Sequence, residues 1–599
     1  MNILRHTRKP KILITEKVSP DGLALLKDQF DVDEKKDLSP EELKSIISDY
    51  EALIIRSETK VTANLLSAAK KMRVVARAGV GVDNVDVQNA TSHGIIVVNS
   101  PSGNINAAAE HTIALLMAVA RNVGDASQSI KAGKWERSRL VGVEAKGKTL
   151  AIVGLGKVGL TVARIANGLG MRLIAYDPYA NPNLAAAASV ILQPSLADIL
   201  KEADFLTLHT PLVASTKGMI GKAELASMKP TARILNVARG GMIDEDALVE
   251  ALDAGTIAGA GIDVFTSEPP APDSSASRLI AHSKVVATPH LGASTKEAQE
   301  NVSIDVCEQV VSILSGELPR SAVNAPIVLP DEYRTLQPYV SLVEKMGSLY
   351  TQHYSRAKNE SFRTTFDLIY EGKLATINTT KPLFAALVKG LLTSITSDDG
   401  LNINIVNAEL LAKARGITIN EQKSRENVDE KPYSSLITLR ARAMQSVSVS
   451  RPGSRNNSPS AARTLNRKAV NVVDDDQVIQ GFVSGNKPYI ARLDKFKGEF
   501  VPRGTLLICR NFDSVGKIGY VGNVLGRAGV NIKFMNVAPL TEEVEERQNE
   551  GSVDGEGEVK CDASKEALMI LGVDKPVGKD VLESLIGEEG VLEASVVTF

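Results

Sequence analysis

Residues 149–178 read TLAIVGLGKVGLTVARIANGLGMRLIAYDP, and the fold turns on this stretch. An apolar run, TLAIV, leads at once into Gly154, Gly156 and Gly159, and then into an amphipathic helical pattern. That order gives each glycine a physical task. Gly154 permits the tight turn out of a strand, Gly156 lets a pyrophosphate approach the backbone, and Gly159 lets the helix pack closely on the sheet. The helix N-terminus then faces the phosphates. The next strand, RLIAYD, ends on Asp177, where a carboxylate accepts hydrogen bonds from ribose hydroxyls and repels a 2′-phosphate. The stretch predicts a βαβ dinucleotide-binding unit that takes NAD in preference to NADP.

Working outward, the same alternation continues through DFLTLHTP, ARILNVARGG, AGIDVF and KVVATPH, which makes about six strands, the number in a complete dinucleotide-binding sheet. Upstream, KILITE, ALIIRS, VVARAGVG and GIIVVNS alternate with helical stretches and predict a second parallel sheet. Long helical patterns run from 104 to 121 and from 295 to 316, and the Pro-rich LPRSAVNAPIVLP that follows reads as a linker. The segment 446–468 is rich in Ser, Arg, Asn and Pro and too poor in large apolar residues to stay ordered; its Ser458-Pro is a candidate phosphorylation site. The last hundred residues give strand, helix, strand, acidic loop, strand, helix, strand, the βαββαβ order.

At 599 residues the chain predicts three or four domains. A formal net charge of −2 with 23% charged residues offers no electrostatic case for binding nucleic acid or an anionic membrane. Cys307, Cys509 and Cys561 lie far apart without CxxC spacing, which fits reduced thiols and gives neither a disulfide framework nor a metal site. No apolar run reaches the ~18 residues of a membrane span, and the opening MNILRHTRKPKILI has no signal-peptide core, so a cytoplasmic location is expected.

Three polar residues stand where later strands of the series should end: Arg239 in LNVARGGMIDEDAL, Glu268 in VFTSEPPAPD and His290 in VATPH. Ligands of open α/β sheets bind beyond the carboxyl ends of strands, so the three should converge. Oxidising a hydroxyl to a carbonyl removes its proton as hydride leaves, work suited to an imidazole. A neighbouring carboxylate favours the protonated ring and orients it, and a guanidinium holds a substrate carboxylate. Taken singly they read as a surface cation, a loop anion and a capping histidine; it is their joint placement that points to chemistry. Arg56 in LIIRSETKV and Arg77 in VVARAGVGVDNVD add two cations at strand ends, and with the amides of the turn at Val80 and Gly81 they could hold a phosphate as well as a carboxylate.

These segments, with GLGKVG upstream, resemble the NAD-dependent D-2-hydroxyacid dehydrogenase family, whose members use Arg, Glu and His in this order. By that resemblance Arg239 binds substrate, Glu268 supports the histidine and His290 is the acid/base. The resemblance implies cofactor contacts from Gly154, Leu155, Gly156, Lys157, Val158, Gly159 and Asp177, from His209, Thr210 and Pro211, from Val237, Ala238 and Arg239, and from Asp263, His290 and Gly292. It implies substrate contacts from Arg56, Ser57, Arg77, Val80, Gly81 and Asn104, together with Arg239 and His290.

The fold class it implies is a multidomain α/β chain. A Rossmann-type nucleotide-binding domain (106–295) is inserted in a flavodoxin-like substrate-binding domain (1–105 and 296–328), followed by an α+β intervening domain (329–500) and a ferredoxin-like ACT domain (501–599). RSETKV, RAGVGVDNVD, SPSGNINAAAEHT and GKWERSRLVG resemble long-form members of the family. Those members oxidise 3-phospho-D-glycerate to 3-phosphooxypyruvate, the first step of L-serine biosynthesis. The same resemblance places Trp135 near a subunit interface and the active site, implies a homo-oligomer with tetramer ahead of dimer, and matches Asp513 and Asn531 to positions that bind an L-serine effector. Family members often read D-x-P-G at the first of these; here Ser514, Val515 and Gly516 follow Asp513. Two other readings stand beside it: a hydroxypyruvate or glyoxylate reductase, against which the second basic site and the terminal region count, and a dinucleotide-sensing corepressor, which lacks such a terminal region.

Overall fold

The computed structural model describes residues 8–354, 363–393, 395, 402–424, 433–442, 477–540, 566–587 and 591–599. The segment 446–468 with Ser458, the acidic loop after residue 540 and Cys561 lie outside the described residues. Two compact units divide the chain: residues 1–86 with 97–323, and residues 87–96 with 324–599.

The first unit is built on two sheets. Strands β1 (Lys11–Ile14), β2 (Asp31–Glu34), β3 (Ala52–Ile55), β4 (Val74–Arg77) and β5 (Ile96–Asn99) lie in the order β2-β1-β3-β4-β5. The pairings that join β2, β1, β3 and β4 are parallel. Strand β2, sequence DVDE, is an addition to the expected strands; its acidic, largely solvated residues belong to an edge strand, which carries no apolar pattern to read.

The second sheet comprises β6 (Thr149–Val153), β7 (Arg172–Tyr176), β8 (Val190–Leu192), β9 (Phe205–Leu208), β10 (Arg233–Asn236), β11 (Gly259–Ile262) and β12 (Val285–Ala287). Their order is β12-β11-β10-β9-β6-β7-β8, every pairing parallel. The seventh strand is β8, a three-residue edge strand too short to show a period. Both faces of the central strands are covered, as parallel sheets require. Leu206, Leu208, Ile234 and Ile262 pack in one cluster, while Leu150, Ile152, Leu173 and Leu235 pack in another. Strand order reverses between β6 and β9, the switch point at which such sheets open a crevice.

Helix Ile105–Ala120 contributes Ala109, Leu115, Leu116 and Val119 to that second cluster, and its alanine-rich sequence suits both helix propensity and close packing. Helix Lys296–Leu314 starts at Thr295, whose Oγ1 accepts the Ala298 N–H at 3.0 Å.

In the second unit, strands β13 (Thr365–Gly372), β14 (Thr418–Lys423), β15 (Ser435–Ala441), β16 (Gln477–Ser484), β17 (Lys487–Leu493) and β18 (Phe496–Phe500) form a six-stranded sheet. Strands β19 (Thr505–Phe512), β20 (Ile532–Ala538), β21 (Glu566–Val573) and β22 (Glu593–Thr598) form a four-stranded antiparallel sheet in the order β20-β21-β19-β22. Helix Lys517–Arg527 links β19 to β20, and helix Lys579–Leu585 links β21 to β22.

Alternate residues of β19 serve different cores, because a strand's side chains point to opposite faces in turn. Leu507 and Cys509 join Val521, Leu525 and Leu585 of the two helices. Leu506 and Ile508 join Leu342, Met346 and Tyr350 of helix Pro330–Tyr354, in a cluster that also holds Leu439 and Ile479 of the six-stranded sheet. The two sheets of this unit therefore share one core. Residues 87–96 group with this unit, although the sequence reads them with the first domain. The Gly94 carbonyl accepts the side-chain amides of Asn402 (2.9 Å) and Asn404 (2.6 Å).

Leu342 is fully buried in the shared core. Leu342→Ala is expected to cost about 2–5 kcal/mol through lost burial and a residual cavity, seen as a lower urea midpoint in equilibrium unfolding.

Candidate active site

At the GLGKVG turn the three glycines occupy different surroundings. Gly154 has φ +89°, and a Cβ there would lie 2.7 Å from the His209 carbonyl oxygen and from Thr210 Cγ2. A Cβ on Gly159 would lie 2.2 Å from the Gly154 carbonyl oxygen. Among the described residues a Cβ on Gly156 would meet nothing within 4 Å beyond its own neighbours and helix, and no side chain caps the helix Lys157–Gly168 that starts there. An open backbone approach at an uncapped helix N-terminus fits a pyrophosphate.

Asp177 is tied into the same turn: Oδ2 accepts the Leu155 N–H and Oδ1 accepts the Tyr179 N–H, each at 2.8 Å. Each carboxylate oxygen keeps a second lone pair for a ribose hydroxyl. Lys157 Nζ donates to Ser102 Oγ at 2.7 Å, and Val158 is partly buried behind the turn. His209 follows β9, with Nε2 2.9 Å from Thr207 Oγ1, and burial pulls its imidazole down to about 4, so the ring is neutral at neutral pH. Pro211 accepts the Thr216 hydroxyl at its carbonyl (2.6 Å), which closes that loop.

Asn236, the last residue of β10, is buried and holds the next turn from both sides. Its Nδ2 donates to the Arg239 carbonyl at 2.8 Å and its Oδ1 accepts the Ala238 N–H at 3.1 Å. Arg239 Nε donates to Asp83 at 3.2 Å, and a Cβ on Gly81 would fall 2.1 Å from Arg239 Nη2. The guanidinium thus lies directly over the loop after β4.

His290 Nδ1 stands 2.7 Å from Glu268 Oε2, and Glu268 Oε1 accepts the Phe265 N–H at 2.9 Å. Partial burial pushes the Glu268 carboxyl up, but the hydrogen bonds from His290 and Phe265 and the charge of His290 outweigh it, leaving the group below its ordinary range. Glu268 therefore stays ionised at neutral pH. Its contribution to stability is complete above the ordinary carboxylate pKa and is lost only as pH falls through the lowered value. The loop that carries it is held by Glu245, which accepts the Thr266 N–H at 2.7 Å and the Ser275 hydroxyl at 2.8 Å.

Asp263, expected among the cofactor contacts, lies at the base of the turn that carries His290. Asp263 is 0% exposed, and its carboxylate takes the N–H groups of Leu291 (2.7 Å) and Gly292 (2.8 Å) and the Thr288 hydroxyl (2.6 Å). In this conformation it organises the turn that carries His290. Val237 packs against the same turn: a Cβ on Gly292 would lie 2.9 Å from Val237 Cγ1.

On the first sheet, Arg56 follows β3 and Arg77 ends β4. Glu16 shapes the Arg56–Thr59 loop by accepting the N–H groups of Arg56 (2.9 Å), Glu58 (3.2 Å) and Thr59 (3.0 Å); Ser57 in that loop is exposed. Asn84 Nδ2 donates to the Arg56 carbonyl at 2.9 Å. Burial holds Arg77 below its ordinary pKa, and the charges of Arg239 and Arg56 act in the same direction against Asp83 and Glu16. Arg77 Nε and Asn104 Oδ1 are buried with no hydrogen-bond partner among the described residues. Val80 and Gly81 lie in the turn between these cations and Asp83, Val80 exposed to solvent.

Arg77, buried near the like charges of Arg239 and Arg56 and with its Nε unpartnered, makes a site that an oxyanion would complete. Among residues not singled out from the sequence are Glu16, Asp83, Asn84, Asn236 and Glu245. Each acts on a partner distant in sequence or on a turn backbone, so no local pattern announces it.

A histidine–carboxylate pair, a glycine turn at a helix N-terminus and a cluster of guanidiniums suit an NAD-dependent 2-hydroxyacid dehydrogenase, and the comparisons agree. A family model described as D-isomer specific 2-hydroxyacid dehydrogenase, NAD binding domain, matches residues 113–292, and a D-3-phosphoglycerate dehydrogenase intervening domain model matches 335–453. D-3-phosphoglycerate dehydrogenase 2, chloroplastic, of Arabidopsis thaliana is 43% identical over 98% of this chain and 86% of its own length. The D-3-phosphoglycerate dehydrogenase of Archaeoglobus fulgidus is 37% identical over 98% of this chain and 99% of its own. That of Homo sapiens is 41% identical over 69% of this chain and 75% of its own. The chain belongs to the D-3-phosphoglycerate dehydrogenase family. It is an oxidoreductase with NAD as cofactor.

The two glycines part company under substitution. Gly159→Ala forces its Cβ onto a carbonyl and should lower the melting midpoint by several degrees. Gly156→Ala meets no protein atom and should leave that midpoint in place while weakening NAD binding by about tenfold or more in fluorescence titration.

Proposed function

We propose that this chain oxidises 3-phospho-D-glycerate to 3-phosphooxypyruvate, with NAD reduced to NADH, as the first step of L-serine biosynthesis. The observation that carries the reading is the crowding of Arg56, Arg77 and Arg239, more positive charge than a substrate with one carboxylate calls for. The family's named relatives support the same substrate.

NAD, when bound at the GLGKVG turn, supplies the hydride acceptor. His290, with Nδ1 turned to Glu268, keeps Nε2 to take the C2 hydroxyl proton. Glu268, ionised, stabilises the imidazolium that results. Arg239 holds the substrate carboxylate, and Arg56 and Arg77 hold the phosphate with the amides of Val80 and Gly81. Asn104 hydrogen-bonds substrate through its orphaned carbonyl oxygen.

We further assign residues 106–295 to nucleotide binding, 1–105 with 296–328 to substrate binding, 329–500 to the intervening domain and 501–599 to an ACT domain. The antiparallel order of β19–β22 supports the last assignment. Asp513 and Asn531, both exposed, are proposed to bind L-serine. Val123, Ile130, Trp135 and Val141 lie exposed within twenty residues of one another, Trp135 at 78% and Val141 at 77%, which supports a homo-oligomer. Cys307 and Cys509 are buried, unbridged thiols pushed up to about 12, in keeping with a cytoplasmic location. Among the described residues no helix is long and apolar enough to cross a membrane.

His290→Ala should keep NAD binding while kcat falls by about 10²–10⁴-fold; turnover near wild type would remove His290 from the mechanism. Arg56→Ala should raise KM for 3-phosphoglycerate by about 10–100-fold but barely change it for D-glycerate, since a charge-assisted hydrogen bond to phosphate is lost; equal effects would argue against phosphate recognition. Steady-state rates with added L-serine test the effector site, and Asp513→Ala should abolish any inhibition seen.

A further inference from the structure

The turn that presents His290 is gripped by a side chain that has no role in the chemistry above, and we infer that His111 of helix Ile105–Ala120 is a positioning residue for His290. The inference rests on the reading of His290 as proton acceptor.

His111 Nε2 stands 3.0 Å from Thr288 Oγ1 and 3.2 Å from Asp263 Oδ1. The single hydroxyl proton of Thr288 goes to Asp263 Oδ1, at 2.6 Å. A carboxylate only accepts, and a hydroxyl whose proton is committed can only accept as well. Nε2 of His111 must therefore carry a hydrogen and share it between the two. The donor assignment follows from the partners.

What this donor holds is the reacting turn itself. Asp263 takes the N–H groups of Leu291 and Gly292 through its carboxylate and the His290 N–H through its carbonyl at 2.9 Å. His290 sits at φ +55°, in the left-handed region that a side chain rarely adopts without support. That conformation sets the ring against Glu268. Without the His111 donor, Thr288 and Asp263 keep each other but lose their tie to the helix, and the turn gains freedom to swing His290 off Glu268. The same helix begins at Asn104, two turns earlier, so one rigid element spans from the orphaned Asn104 oxygen to the His290 turn.

The test compares His111→Leu, His111→Gln and His111→Asn in the full-length enzyme, with His290→Ala in the same assay. Leucine removes the donor. Glutamine can place an amide N–H near the position of Nε2, whereas asparagine falls one methylene short. We expect His111→Leu to lower kcat by about tenfold or more while KM for NAD stays within about twofold, His111→Gln to recover most of kcat, and His111→Asn to recover little. Wild-type kcat in the leucine variant, or a glutamine variant no better than leucine, overturns the inference. A fully active His290→Ala would instead overturn the reading on which it rests.

Discussion

Parallel pairing is the constraint on which this site depends. Parallel strands must be joined by crossovers, so every strand of the seven-stranded sheet is entered from the same edge and left at the other. The departing edge is where Gly154, Asp177, His209, Arg239 and His290 all lie, each within a few residues of a strand end. The first sheet obeys the same rule, and Arg56, Arg77 and the loop through Gly81 leave its corresponding edge. Arg239 over Gly81 and Lys157 on Ser102 bring the two edges together.

Burial divides the work of two carboxylates that are alike in chemistry. Asp263, out of solvent, spends its oxygens on backbone N–H groups and hydroxyls, as a buried charge must. Glu268, half-exposed, has one backbone donor and gives its other oxygen to an imidazole. The first fixes a backbone, the second a ring. The cation cluster lies at the opposite extreme, with Arg77 partly desolvated near two like charges that Asp83 and Glu16 temper, which is a poor arrangement for stability and a good one for an anion.

The elements that matter most were legible because their patterns are local. TLAIV, the spaced glycines and RLIAYD carry strand, turn, helix and strand within thirty residues, and helix Ile105–Ala120 agrees with its apolar period. The strands β2 and β8 were not legible, since an acidic edge strand and a three-residue strand have too little apolar period to read. The shared core of the second unit was equally hidden: alternation along β19 shows that both faces are apolar but not which elements cover them. His111 shows the limit for sites, because a histidine within an apolar helical run carries no local sign that it reaches a turn far along the chain.

Residue order alone sets out the type and polarity of the main strands and the glycine turn, and it marks Arg239, Glu268 and His290 as the proposed reactive set, because glycine spacing and residue chemistry are local properties. The folded chain adds that Glu268 and His290 stand 2.7 Å apart, that Asp263 holds the turn carrying His290, and that His111 reaches this turn from 177 residues before Thr288. The reason is physical: distances between strand ends come from sheet order and packing, and no local spacing encodes them.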